Sequence, residues 1–211
     1  MDLNYLVIEG NIGAGKTSLA TRIAEETNSK LILEQFEDNP FLPKFYKEPE
    51  RYAFPVELTF LADRYMQLKT QIADRDLFQT KTVSDYYFVK SLIFSRKTLK
   101  DDEYSLYKRL FEIIQQQLSK PDLYVFLYVQ TDRLLENIRA RGRSYESEIS
   151  REYLEEIQRS YFDYIKTRPD MTFLVLDVNN LDFVNNSDDY HKVKSAILDQ
   201  KYKPGMNMFI V

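Results

Sequence analysis

Residues 5–20 read YLVIEGNIGAGKTSLA: an apolar run, a glycine-rich turn, then the start of a helical stretch. Gly10, Gly15, Lys16 and Thr17 stand at the G-x-x-x-x-G-K-[ST] spacing. That spacing works in one setting. A buried strand delivers the loop and a helix leaves it, so that backbone N–H groups turn inward on phosphates at the helix N-terminus. Strand, loop and helix in that order commit the chain to a parallel α/β architecture. The residues expected to cradle a nucleotide are Gly10, Asn11, Ile12, Gly13, Ala14, Gly15, Lys16, Thr17 and Ser18. Lys16 is expected to reach the β- and γ-phosphates, and the Thr17 hydroxyl to ligate Mg²⁺.

The rest of the chain continues the pattern. Short apolar runs at 5–10, 30–35, 80–87, 123–129 and 172–178 have the look of buried parallel strands. Helical stretches lie between them, among them PVELTFLADRYMQLKTQIADRD, DEYSLYKRLFEIIQQQLS and REYLEEIQRSYFDYIKT. The expectation is an α/β fold with a five-stranded parallel sheet flanked by helices on both faces. Ligands in such folds sit beyond the carboxyl ends of the strands. With no linker and no repeat, the 211 residues are expected to form a single domain, 1–211.

Bulk properties narrow the partners. A net charge of -4 argues against a nucleic-acid partner held by bulk electrostatics. The absence of cysteine excludes disulfides and thiolate metal sites, and the single histidine, His191, excludes a histidine-based metal or catalytic cluster. His191 is read as a surface or packing residue. No apolar run approaches 18 residues and the N-terminus reads as a strand, not a signal peptide. A soluble cytoplasmic protein with no membrane partner is expected.

Four further segments identify a relationship. They are LEQFEDNPFLPKFYKEPERYAFPVELTFLADRYMQL (33–68), SDYYFVKSLIF (84–94), RARGRSYE (139–146) and LDFVNNSDDY (181–190). Together with the phosphate loop, and in this order, they resemble the deoxynucleoside kinase family, in particular its bacterial deoxyguanosine kinase branch. The resemblance runs nearly end to end. It implies a thymidylate-kinase-like P-loop kinase fold, ATP-dependent phosphorylation of the 5′-hydroxyl of a deoxynucleoside in nucleotide salvage, and a homodimer.

The resemblance also assigns residues. A kinase acting on a sugar hydroxyl needs a carboxylate to take the proton. Glu34, at the end of the second strand, matches the family's general base, with Glu37 and Asp38 as competing carboxylates nearby. Asp85, ending the third strand, matches a substrate- and Mg²⁺-side carboxylate. Tyr86 stands where many relatives carry an arginine, and Lys90 is a candidate substitute. Three alternating arginines, Arg139, Arg141 and Arg143, are expected in a loop that forms a lid over about 139–150. Guanidinium forks suit phosphate oxygens, and Arg141 and Arg143 match the lid arginines more closely than Arg139. Glu34, Lys16, Arg141 and Arg143 are thus the catalytic candidates. Glu146 and Tyr46 match the pair that holds the sugar 3′-hydroxyl. Asp182 and Phe183 match the loop beside the donor's adenine.

Glu57 and Arg64 lie seven residues apart, two turns along one helix face. Glu57 falls where relatives carry a base-reading glutamine, and Arg64 matches a base-contacting arginine. An ionised carboxylate only accepts, so Glu57 suits the paired N1–H and N2 donors of guanine, while an arginine suits guanine's O6 and N7. The expected acceptor is a purine deoxynucleoside, deoxyguanosine favoured. The alternatives are a deoxyadenosine or broad-specificity kinase, a thymidylate-type monophosphate kinase that would use Arg51 or Arg64 on its acceptor's phosphate, and a non-catalytic nucleotide-gated protein.

Overall fold

Six strands form one sheet in the order β2-β3-β1-β4-β5-β6. They are β1 (Tyr5–Gly10), β2 (Lys30–Ile32), β3 (Thr82–Ser84), β4 (Leu123–Tyr128), β5 (Thr172–Asp177) and β6 (Gly205–Ile210). β1 runs parallel to β3 and β4, β5 parallel to β4 and β6. This computed structural model describes residues 3–35, 39–73, 81–143, 146 and 149–211, with Tyr46 and Ala73 described in their backbone alone. Eight helices are described: α1 (Lys16–Glu26), α2 (Leu42–Lys47), α3 (Pro49–Ala73), α4 (Val89–Thr98), α5 (Asp101–Gln115), α6 (Thr131–Arg141), α7 (Arg151–Lys166) and α8 (Ser187–Leu198).

The sheet corrects the expected strand count from five to six. β6 has the sequence GMNMFI, and four of its six residues are exposed. It is an edge strand, so it lacks the continuous apolar run by which a buried parallel strand announces itself.

The chain divides into two compact units. The first holds β1, β3 to β6, α1 and α6 to α8. Its core is the strand interior, with Ile8, Val125, Leu127, Leu174 and Leu176 essentially inaccessible, against Leu19 and Ile23 of α1 and Val193 and Ile197 of α8. Each such side chain contributes about 1.5–3 kcal/mol of burial. Parallel registry brings Gly10 level with Leu127 and Val7 level with Ser84, so the phosphate loop and the end of β3 emerge at the same edge of the sheet.

The second unit holds α2 to α5 and the segment that follows β2. Val56, Leu61 and Leu68 of α3 are buried, and the rings of Phe88 and Phe111 stack at 4.8 Å. α3 begins six residues before Pro55, which sits inside it. Proline at a sequence-level helix start marks the first turn, but here its missing N–H falls early in a longer helix.

Candidate active site

In the first unit the phosphate loop is held by its surroundings as much as by its own turns. Gly13 and Gly15 have φ of +82° and +83°, where a side chain is strained. Gly15 also has no room for one, since a Cβ there would come within 2.8 Å of the Phe183 ring. Asn11 is buried; its amide donates to the Leu154 carbonyl at 2.7 Å while its Oδ1 accepts from the Ile12 N–H at 2.9 Å. Asn137 donates to the Gly13 carbonyl at 2.8 Å, and Lys16 donates from Nζ to the Asn11 carbonyl at 2.8 Å. Ala14 packs into the core, and Ser18 is exposed in the first turn of α1.

The two proposed cation ligands meet. The Thr17 hydroxyl donates to Asp85 Oδ2 at 2.5 Å, and Asp85 is buried. Two hard oxygens side by side fit Mg²⁺, which takes one or two protein oxygens and completes its shell with water and phosphate. Among the described residues no group of three or more His, Asp or Glu side chains forms an all-protein metal cage.

The lid segment departs from the expected loop. Arg139 and Arg141 lie in the last turn of α6, which ends at Gly142 with φ +70°. Two residues on a helix are about 200° apart, so Arg139 points away from Arg141 and is exposed. The convergent pair is Arg141 and Arg143, and what joins them is Glu146. Arg141 donates to both Glu146 oxygens, at 2.5 Å from Nη2, and Arg143 Nη1 lies 3.6 Å from Oε1. Glu146 is buried. The Tyr46 side chain lies outside the described residues. Asp182 shapes its own turn by accepting from the Asn185 N–H at 3.2 Å, which leaves Phe183 to cover Gly15. His191 is exposed, as a surface residue should be.

The second unit gathers the acceptor-side candidates around two carboxylates. Glu34 Oε1 accepts from Arg64 Nε at 3.0 Å and from Nη2 at 2.8 Å, and Glu34 Oε2 is ion-paired with Lys90 Nζ. Burial alone would raise the Glu34 pKa, but Lys90 and Arg64 outweigh it and hold the carboxyl down to about 2. Arg64 Nη1 donates to the Ser91 hydroxyl at 2.9 Å. Three of its nitrogens are thus engaged inside the unit. Glu37 and Asp38 lie outside the described residues. Tyr86, in the position of the family's arginine, is fully buried and donates to Gln67 Oε1 at 2.6 Å.

Glu57 is buried on the same inward side of α3 as Arg64. Its Oε1 accepts from the Thr98 hydroxyl at 2.7 Å, and among the described residues Oε2 has no hydrogen-bond partner. Burial pushes the Glu57 carboxyl up to about 7, against the opposing pulls of the Thr98 hydrogen bond and the Arg64 charge. The Tyr107 hydroxyl donates to the Glu57 main-chain carbonyl at 3.3 Å.

A family model described as deoxynucleoside kinase matches residues 6–201. The chain belongs to the deoxynucleoside kinase family. It is 34% identical over 198 residues to a deoxyguanosine kinase of Bacillus subtilis (strain 168), covering 92% of this chain and 95% of that one. It is 27% identical over 203 residues to a deoxyadenosine/deoxycytidine kinase of the same organism, covering 92% and 91%. The fold is that of a deoxyadenosine kinase from M. mycoides solved with bound dCTP, with a TM-score of 0.77 over 93% of this chain and all of the other, at 23% identity.

Some of the residues bonded to these candidates gave no motif-level signal. Asn137, Thr98, Ser91 and Tyr107 are ordinary helix residues until the fold assembles them. Glu9 did leave a trace, as a charge in an otherwise apolar strand. It is fully buried and accepts from the Gly10 N–H at 3.3 Å and the Tyr161 hydroxyl at 3.0 Å, directly behind the loop.

Proposed function

We propose that this kinase transfers the γ-phosphoryl group of ATP to the 5′-hydroxyl of a purine deoxynucleoside, with deoxyguanosine favoured, in nucleotide salvage. Residues 1–211 act as one kinase domain; the phosphate loop, Asp85 and Glu146 belong to its first unit, and Glu34, Glu57 and Arg64 to its second. The observation that carries the reading is Glu34: a carboxylate kept ionised by Lys90 and Arg64, suited to accept a hydrogen bond and then the proton of an alcohol. The 5′-oxygen forms its bond to the γ-phosphorus as the β,γ-bridging oxygen leaves, and the hydroxyl proton passes to Glu34. The transition state of such transfers is loose, so orienting the hydroxyl matters more than base strength.

Thr17 and Asp85 would hold the Mg²⁺ that accompanies ATP, whose charge offsets that of the phosphates when bound. Lys16 binds the transferring end of ATP, and Arg141 and Arg143 take up the charge that develops there. Glu146 accepts from the sugar 3′-hydroxyl. A homodimer and a cytoplasmic location follow from the family reading. No helix among the described residues is long and apolar enough to cross a membrane.

The guanine preference rests on Glu57, and it is supported by the deoxyguanosine kinase name of the Bacillus relative. A second reading, with deoxyadenosine or deoxycytidine as acceptor, is supported by the names of other relatives. Phosphorylation of deoxyguanosine, deoxyadenosine and deoxycytidine by ATP and Mg²⁺, measured side by side, tests both. The highest kcat/KM is expected with deoxyguanosine. Faster turnover of a deoxynucleoside monophosphate than of any deoxynucleoside would overturn the assignment of an alcohol acceptor.

A further inference from the structure

A buried carboxyl oxygen without a partner is uncommon enough to need a reason, and Glu57 Oε2 is one among the described residues. Its sister oxygen is already taken by the Thr98 hydroxyl at 2.7 Å. The cation whose charge acts on it is hydrogen-bonded elsewhere: Arg64 directs Nε and Nη2 to Glu34 and Nη1 to Ser91. From α5, Tyr107 turns its hydroxyl to the Glu57 main chain and not to the carboxyl. Glu34 carries one negative charge against the two positive charges of Arg64 and Lys90, and of these it is the Arg64 charge that acts on Glu57. Among the described residues Glu57 therefore has one hydroxyl donor and no direct ion pair, with the Arg64 charge acting on it from a distance.

We propose that Glu57 reads the acceptor base in two protonation states, so that the base preference of this kinase is set by pH. The inference rests on the reading of Glu57 as a base-contacting residue. Ionised, the carboxylate offers acceptors alone and pairs with guanine, which presents N1–H and an N2 amino donor side by side. Protonated, it offers one O–H donor beside an acceptor. The Thr98 hydroxyl, by donating to Oε1, leaves Oε2 as the oxygen that carries the proton. A donor beside an acceptor is the complement of adenine at N1 and N6, and of cytosine at N3 and N4. Burial holds the carboxyl near neutrality, at about 7, so both forms are populated at ordinary pH.

Each form fits what the other rejects. An ionised Glu57 facing adenine N1 sets acceptor against acceptor, and a protonated one facing guanine sets donor against donor. Buried mismatches of this kind discriminate more sharply than a lost methylene does. No residue other than Glu57 has to move for the preference to change.

The test is the ratio of kcat/KM for deoxyguanosine over deoxyadenosine between pH 6 and pH 8.5, with ATP and Mg²⁺, in the native chain and in Glu57→Gln. In the native enzyme the ratio is expected to rise about tenfold or more as pH increases. In Glu57→Gln it should be flat with pH and resemble the native enzyme's acid limb, because an amide likewise offers a donor beside an acceptor. Deoxycytidine should follow deoxyadenosine. A native ratio constant within about twofold overturns the switch. If that flat ratio is nevertheless altered by Glu57→Gln, Glu57 reads the base and only the switch has failed. If the variant leaves the ratio unchanged at every pH, the base-contact reading itself has failed. Phosphorylation of none of the three nucleosides overturns both. The native pH series needs no variant, so a Glu57→Gln chain that does not fold still leaves the proposal decidable.

Discussion

Lys90 is ion-paired with Glu34 on Oε2, the oxygen that Arg64 leaves free. The chain lacks an arginine after Asp85, since Tyr86 stands there and bonds to Gln67 instead. The charge is supplied from the first turn of α4, four residues further on. A lysine is a compact point charge where an arginine would be a planar fork, so it holds Oε2 while two nitrogens of Arg64 share Oε1.

Glu34→Gln should retain nucleoside binding and lose about 10²-fold or more in kcat. The amide keeps the shape and an acceptor for Arg64, but it cannot take a proton. It also leaves Lys90 buried without its partner, so a lower Tm accompanies the loss. Equilibrium binding of deoxyguanosine alongside single-turnover rates separates the two effects. A variant that turns over at nearly the native rate would assign the proton to another carboxylate.

Lys90→Met should move the acid limb of the kcat/KM profile upward. With Lys90 present, burial is outweighed and the Glu34 carboxyl lies near 2, so it is ionised throughout the working range. Without that charge, burial acts against Arg64 alone and protonation begins at higher pH. The rate profile between pH 4.5 and pH 7 is the measurement. Superimposable limbs in the two proteins would mean that Lys90 does not tune Glu34.

The lid arginines should separate by position. Arg141→Ala is expected to lower kcat by about 10²-fold with little change in nucleoside KM, because charge stabilisation belongs to the transition state. Arg139→Ala should change kcat less than threefold or so, since Arg139 is turned away from Arg141 on α6, and it is Arg141 that bonds Glu146. Equal losses in the two variants would return Arg139 to the lid.

Most of the first unit was legible because its signals are local. Strand, glycine loop and helix announce themselves within the span from Tyr5 to Ala20, and buried strands read as apolar runs. β6 escaped because an edge strand carries no such run. Arg139 and Arg141 were misplaced for a related reason: arginine is a good helix former, and only Gly142 stops α6. The second unit was less legible because its contacts span long separations. Thr98 reaches Glu57 across 41 residues and Lys90 reaches Glu34 across 56. No periodicity links such pairs. Glu57 and Arg64 were expected as partners in reading a base, whereas the fold commits Arg64 to Glu34.

Asp85→Asn should raise the Mg²⁺ concentration needed for half-maximal activity by about tenfold or more, while ATP analogue binding without metal changes little. The substitution keeps one oxygen for the Thr17 hydroxyl but removes the charge that favours a divalent cation. Magnesium titrations at fixed ATP are the check. An unchanged half-point would remove Asp85 from the cation's ligands.

The last expectation concerns stability without any substrate. Glu57 in the folded protein holds its proton up to about 7, above its ordinary value of 4.5. The folded state therefore binds more protons than the unfolded chain between those values, and stability falls as pH rises through that window. Below about 4.5 both states are protonated and the cost vanishes; above 7 it is fully present. Glu34 acts in the opposite sense. Its carboxyl is held near 2, so its ion pairs stabilise the fold above 4.5 and that contribution is lost as pH falls toward 2. Between pH 5 and pH 8 Glu34 is constant and Glu57 dominates this part of the profile. Glu57→Gln removes the buried charge and keeps the Thr98 hydrogen bond, so it should be close to neutral at pH 5 and stabilising at pH 8, by on the order of 2–3 kcal/mol. Urea midpoints for both proteins at the two pH values give the double difference, in which every other titrating group cancels. Parallel curves would show that Glu57 carries no buried charge in the folded protein.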